Sequence, residues 1–289
     1  MSFRAGRRYT CDPGTTTPGT TPLEADMSGS ILDGKAAVIY GGGGSIGGAV
    51  AAEFARQGAR VFVAGRTRST LDAVVEAVTA GGGQAEAAVV DALDQAAVEA
   101  HLDHVVAAAG RVDISFNLVS RGDVQGVPLT AMTPADLLRA VDNGLLSALY
   151  TAGGAARRMA AQGAGVILHL NSGSGGGAMP GMGSTGPADA AGEAFMRYLA
   201  AENGPQGVRV CGIWTAGVAE TLTREKLAAV AGDLAPDPQS ALDGIAAMSV
   251  LRRNVRLADV ASTAAFLASD GAAGLTGSMV NVSAGLVLR

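Results

Sequence analysis

The segment VIYGGGGSIGGAVA, residues 38–51, constrains the fold more than any other part of the chain. An apolar run stops at four consecutive glycines, and a helix-compatible stretch follows. Gly42, Gly44 and Gly47 satisfy the spacing G-x-G-x-x-G. Glycine at such positions permits a tight turn and lets backbone approach a pyrophosphate, while the start of the next helix supplies free N–H groups and the positive end of its dipole. Between a strand and a helix the pattern points to a dinucleotide site. The plainer alternative is a glycine turn in an α/β protein with no such ligand.

From residue 35 onward, short apolar runs alternate with helical segments. Strands are expected at AAVIY, ARVFVAG, QAEAAVVD, VDISFN, GVILHLNS, VRVCGIW and SMVNVS. Helices are expected over 45–57, 69–79, the stretch QAAVEAHLDHVVAAAG, 134–161, 188–202 and 257–269. Nearly continuous apolar strands separated by helices indicate a parallel sheet covered on both faces. Right-handed crossovers then give a single doubly wound parallel seven-stranded sheet flanked by helices, with its ligand crevice at the carboxyl ends of the strands. Residues 1–28, including CDPGTTTPGTTP, show turn formers without apolar period and are expected to form a flexible tail. Residues 29–289 read as one domain.

Composition excludes several classes. Of 289 residues 48% are hydrophobic and 16% charged, enough apolar content for a large core. A net charge of −5 lacks the basic footprint of a nucleic-acid binder. No apolar run approaches the roughly 18 residues of a membrane span. The Arg-containing start leads into Thr, Pro and Gly, unlike a signal peptide. A cytoplasmic protein acting on a small molecule is the simplest expectation. Cys11, Cys211 and three histidines show no metal-ligand spacing, so no metal is expected.

An acid at the end of the second strand would hold the ribose 2′-hydroxyl of NAD. Here the strand ends in Gly65 and Arg66, with Arg68 close by. A guanidinium in place of a carboxylate suits a 2′-phosphate, so NADP(H) is expected over NAD(H). The alternative is a solvated arginine at a strand end.

From about Leu32 to the C-terminus the chain resembles the short-chain dehydrogenase/reductase family, which has a Rossmann fold. Gly41 and Gly47 match the family's glycine pattern; Tyr40 stands for its Thr and Ser45 for its middle Gly. With Ile46, these residues are the expected pyrophosphate cradle, and the Ser45 hydroxyl is a candidate helix cap. The resemblance implies that Asp91, in VDALD, contacts adenine. It aligns Asn117 of VDISFNLVS with the first Asn of an N-N-A-G segment from which Leu118, Val119 and Ser120 depart. Gly217 and Thr221 match a P-G-x-x-x-T turn beside nicotinamide, with Ala216 in place of Pro. It further implies a substrate lid over 218–256 and a homo-oligomer, a dimer or tetramer, built through segments 134–161, 188–202 and 278–283. The small residues of TAGGAA are expected to permit close helix approach there.

The family's chemistry uses Ser, Tyr and Lys, often with an Asn. Ser172 matches the Ser, and Asn143 is the nearest match to the Asn. Where the Tyr belongs stands Thr185, and where the Lys belongs stands Asp189. The only lysines are Lys35 and Lys226, so no lysine lies near enough in sequence to rebuild the pair. A Thr hydroxyl is a far weaker acid than a phenol with a pKa of about 10. A carboxylate in place of an ammonium disfavours an alkoxide. The expected activity is therefore that of an oxidoreductase on a carbonyl or hydroxyl substrate with a nonstandard active site. A cyclase, dehydratase or isomerase reusing the pocket, and a non-catalytic subunit, remain alternatives.

Several roles stay open at this level. Asp189 is either a general base or a first-turn carboxylate at a helix start. Ser172 either orients substrate or ends a strand. His169 reads as a hydrogen-bonded core histidine facing away from Ser172. His101 and His104 read as surface residues of a helix. Met179 and Met182 either line an apolar pocket or fill core gaps.

Overall fold

The computed structural model describes residues 30–175 and 177–288; the expected tail over 1–28 lies outside them. Strand β1 (Ala36–Tyr40) leads through the glycine run into helix α1 (Ser45–Arg56). There follow β2 (Arg60–Gly65), α2 (Arg68–Ala80), β3 (Gln84–Val89), α3 (Gln95–Ala109) and β4 (Ile114–Asn117). Next come α4 (Pro134–Gln162), β5 (Gly165–Asn171), α5 (Thr185–Asn203) and β6 (Val208–Thr215). Helices α6 (Arg224–Ala231), α7 (Pro238–Met248) and α8 (Leu257–Ala268) precede β7 (Met279–Val282).

All seven strands are parallel, in the order β3-β2-β1-β4-β5-β6-β7. The order reverses between β1 and β4, which opens a crevice at their carboxyl ends. Strand residues alternate between two cores. Ala37 and Ile39 join Val50, Phe54, Phe116 and Leu267 on the α1–α8 face. Val38 and Tyr40 join Leu102, Val105, Met159 and Met196 on the α3–α4–α5 face.

Elements begin where local chemistry allows. Asp94 caps α3 through Ala97 N, and Thr133 caps α4 through Asp136 N with Pro134 in the first turn. Strand β3 ends at Val89, two residues short of the expected segment, because its ladder with β2 runs out at Gly65. Helix α5 starts at Thr185, three residues earlier than expected.

Two expectations are corrected here. His101 is not a surface residue: it is buried on α3, with Nδ1 3.3 Å from the Tyr40 hydroxyl and its ring edge-on to that phenol. Desolvation, with His104 adding to it and Glu86 opposing, lowers its pKa to about 4; burial raises that of Tyr40. His104 is exposed as expected and contacts Glu86. The small residues of TAGGAA, 151–156, are buried within the chain. A Cβ at Gly154 would meet Leu102 Cδ1 at 2.7 Å, so the close approach permitted there is to α3 of the same chain, not to a second copy.

Candidate active site

The glycine loop sits at the reversal of strand order. Gly41 and Gly42 N–H groups both donate to Ala64 O, tying the turn to β2. Gly41 has φ +77°, and a Cβ there would strike Leu118 O, just beyond β4. A Cβ on Gly42 would meet Val63 Cβ at 2.8 Å, and one on Gly47 would meet Gly42 Cα at 2.8 Å. These glycines allow helix α1 to begin directly against the end of β1. Gly44 is the N-cap, and no side chain caps the first turn. The expected cap role of Ser45 is thus corrected: Ser45 is the first helical residue, and its hydroxyl accepts from Lys226 Nζ at 2.7 Å. Ile46 packs partly buried against the core. Uncapped N–H groups and a turn without side chains fit a pyrophosphate.

The residues expected around the rest of a dinucleotide lie at the same edge. Arg66 is exposed at the end of β2 and, among the described residues, takes part in no hydrogen bond or ion pair. Arg68, by contrast, is committed to Asp72 at 2.8 Å. Asp91 is exposed after β3 and accepts from Leu93 N. Asn117 ends β4; its Oδ1 accepts from Val119 N and its Nδ2 donates to Ser147 Oγ, which sets the path of the chain past Gly41. Gly217 has φ +65° and packs on Ile245 of α7. Thr221 turns its hydroxyl to Val218 O at 2.8 Å. Val218 and Val255 form a bridge that closes the neck of the 218–256 excursion.

At the end of β5 the geometry departs from a tyrosine–lysine pair. Asp189 is fully buried in the second turn of α5, so a first-turn role at the helix start is excluded. Its Oδ2 accepts from Ser172 N at 3.1 Å, Ser172 Oγ at 2.6 Å and Ser174 N at 3.1 Å. Ser172 and Ser174 hydroxyls are 2.8 Å apart. Since one Ser172 proton serves Asp189, Ser174 donates to Ser172, and its remaining lone pairs are the ones left over. Thr185 is also buried, and its hydroxyl accepts from Gln125 Nε2 at 3.0 Å.

Arg121, which sequence reasoning missed, supplies the balancing charge. Its Nη1 lies 2.9 Å from Asp189 Oδ1, but off the hydrogen-bonding direction, so that oxygen is ion-paired without an aligned donor. Its Nη2 bonds Asp123 at 3.0 Å. Asn143 Nδ2 donates to Arg121 O, and Gly144 leaves room for the Arg121 stem, which a Cβ would meet at 2.9 Å. The charge expected to be adverse at Asp189 is therefore compensated from the loop after β4. The signals were a lone Arg in LVSRGD and a glycine directly after Asn143.

His169 is partly buried in β5, its ring lying against Gly192 of α5, whose Cβ would be 2.9 Å from Cε1 and Nε2. The expected core histidine is thus only half enclosed: its Nε2 is shut off from solvent, and the expected hydrogen bond fails there, with no partner among the described residues. Burial, aided by Arg121, lowers its pKa to about 4. Met179 is half exposed and Met182 partly buried. Among the described residues no cluster of His, Cys, Asp and Glu is suited to a metal.

Comparison with known proteins agrees with this architecture. A family described as enoyl-(acyl carrier protein) reductase matches residues 42–287. The short-chain reductase protein NovJ of Streptomyces niveus is 30% identical, over 92% of this chain and 99% of its own length. The 7alpha-hydroxysteroid dehydrogenase of Escherichia coli K12 is 30% identical, over 88% of this chain and 94% of its own. A solved 7 alpha-hydroxysteroid dehydrogenase, complexed with NADH and 7-oxo glycochenodeoxycholic acid, superposes with a TM-score of 0.75 at 28% identity, covering 90% of this chain and 97% of that one. An NAD+-bound xylitol dehydrogenase has a TM-score of 0.77 at 22% identity, over 87% and 98% of the two chains, and shows the shared fold. The chain belongs to the short-chain dehydrogenase/reductase family of oxidoreductases.

Proposed function

We propose that this protein is an NADP(H)-preferring oxidoreductase acting on a carbonyl or hydroxyl group of a small molecule, with proton handling reassigned from a Tyr–Lys pair to Ser174, Ser172 and Asp189. The observation that carries the reading is the buried Asp189 carboxylate, 2.6 Å from the Ser172 hydroxyl, at the position where the family places lysine. A bound nicotinamide would supply or accept hydride. In the oxidative direction the substrate hydroxyl proton passes to Ser174 Oγ, the Ser174 proton to Ser172, and the Ser172 proton to Asp189. Arg121 and Asn143 hold the carboxylate's surroundings in place, while Thr185 stands apart, occupied by Gln125. Gly41, Gly42, Gly44, Ser45, Ile46 and Gly47 would hold the pyrophosphate, and Arg66 a 2′-phosphate. Asp91 would meet adenine, with Asn117, Gly217 and Thr221 toward the nicotinamide.

Residues 218–256 act as a substrate lid in this reading, residues 29–289 as one domain, and the protein works in the cytoplasm as a homo-oligomer. Among the described residues no helix is long and apolar enough to cross a membrane. The expected chemistry is slow toward generic ketones and lacks a tyrosine-like ionisation in its pH profile. The test is dinucleotide turnover against a panel of alcohols and carbonyl compounds for wild type, Ser172→Ala, Asp189→Asn and Thr185→Ala. Loss in the first two variants with little change in the third supports the reading; brisk turnover that collapses in Thr185→Ala refutes it. The same hydrogen-bonded Ser172–Asp189 pair also favours a second reading, a non-redox cyclase, dehydratase or isomerase, in which product forms without net cofactor oxidation.

A further inference from the structure

Lys226 is one of two lysines in the chain, and α6 carries it to the glycine loop. Its ammonium donates to Ser45 Oγ at 2.7 Å across 181 residues of sequence. The loop itself, residues 41–48, contains no basic side chain. The other cation at the start of α6, Arg224, faces Asp237 instead. Thr223 caps α6 through Lys226 N, which fixes the turn from which the lysine projects. One turn further along, Val230 O accepts from Gln125 N in the loop after β4. Helix α6 therefore touches the loops after β1 and after β4, the two strands that frame the crevice. Its neck is held at one end by the Val218–Val255 bridge and by Glu220, which accepts from Leu257 N.

A hydroxyl is a weak partner for an ammonium group, which has three donors to place. Ser45 also stands at an uncapped helix N-terminus, where an anion is favoured and a lone cation is not. The arrangement is balanced once a dianionic group lies between the lysine and the helix.

We propose that Lys226 is a ligand of the dinucleotide pyrophosphate, delivered by α6, so that cofactor binding and closure of the 218–256 segment are one event. This rests on the reading above that the glycine loop holds a dinucleotide. It assigns the segment a role in cofactor retention that does not depend on the substrate. The pyrophosphate is common to both dinucleotides, whereas Arg66 faces only the 2′-phosphate. The two cations therefore have separable effects.

The experiment is calorimetry of NADPH and NADH on the full chain for wild type, Lys226→Met, Lys226→Arg and Arg66→Ala. Thermolysin digestion of each, with and without NADPH, follows closure, and circular dichroism confirms folding. Lys226→Met is expected to weaken both dinucleotides by about tenfold and by the same factor. It should also abolish NADPH protection of the 218–256 segment, with Lys226→Arg restoring most of both. Arg66→Ala should weaken NADPH alone and keep the protection. Wild-type affinity and protection in Lys226→Met would overturn the proposal while leaving the cofactor reading intact. Failure of wild type to bind either dinucleotide would overturn both.

Discussion

A carboxylate with no solvent exposure is tolerable only if its lone pairs and charge are met. Asp189 meets that condition with two backbone N–H groups, one hydroxyl and the Arg121 guanidinium. Removing Arg121 would leave the charge buried and unbalanced. Arg121→Met is therefore expected to cost about 3–5 kcal/mol of stability, and Asp189→Asn in the same chain to recover part of it. Chemical denaturation of the two single variants and the double variant reads the coupling; strict additivity would show that the pair is not energetically linked. The departures Thr185 and Asp189 were legible in sequence because an ungapped register places them. Their partners were not. Arg121 lies 68 positions before Asp189 and Gln125 60 before Thr185, on an irregular loop whose path no periodicity predicts. Arg66 was legible as a cation at a strand end, and the structure adds that it is uncommitted whereas Arg68 is not.

At the scale of elements, the β1–turn–α1 unit shows why glycine spacing carries so much information. Gly47 is inside α1, where alanine would ordinarily stabilise a helix by about 1 kcal/mol. Its Cβ, however, would meet Gly42 Cα at 2.8 Å, a backbone atom that cannot rotate away. Gly47→Ala is expected to lose about 1–3 kcal/mol net and to weaken dinucleotide binding. Gly48→Ala is its control: its Cβ would lie 3.2 Å from Val74 Cγ2, a side-chain atom that can shift, and the expected change is within about 0.5 kcal/mol. Thermal melts of both variants decide the point, and equal behaviour would show that the turn relaxes freely. All seven strands, with helices α1 to α5 and α8, were legible because parallel strands covered on both faces read as short apolar runs between helical stretches. The ends were less so. Strand β3 stops where its partner strand stops, and α5 begins in a glycine-rich stretch where helix propensity gives no signal. Helices α6 and α7 went unassigned, since their short sequences bury none of their residues fully.

For the whole molecule, a buried and a partly buried histidine and an exposed apolar face make opposite demands on solution conditions. Leu146 and Leu149 on α4 and Tyr198 on α5 are 40%, 50% and 72% exposed, on the two helices that the family resemblance assigns to subunit contacts. Light scattering at micromolar concentration is expected to give a dimer or tetramer mass, reduced by Leu149→Glu; a monomer would refute the assembly. Acid tests the fold itself. His101 and His169 have pKa values lowered from 6.5 to about 4. In the unfolded chain both take up protons near pH 6.5, whereas in the folded chain they resist until about pH 4. Stability from this source is thus complete above pH 6.5 and falls as the pH drops toward 4, by at most about 3 kcal/mol per histidine. The two sites differ in what replaces them. His101 bonds the Tyr40 hydroxyl, so an apolar substitute strands a buried phenol. His169 leaves Nε2 without a partner, so an apolar residue of similar size removes an unsatisfied polar atom along with the proton site. His169→Leu should therefore match or exceed wild-type stability at pH 7.5 and lose less between pH 6.5 and 4. Urea denaturation across that range provides the measurement, with Gly192 unchanged so that the contact with α5 is kept. A variant whose stability falls with pH as steeply as wild type would show that His169 is not among the groups that make the fold sensitive to acid.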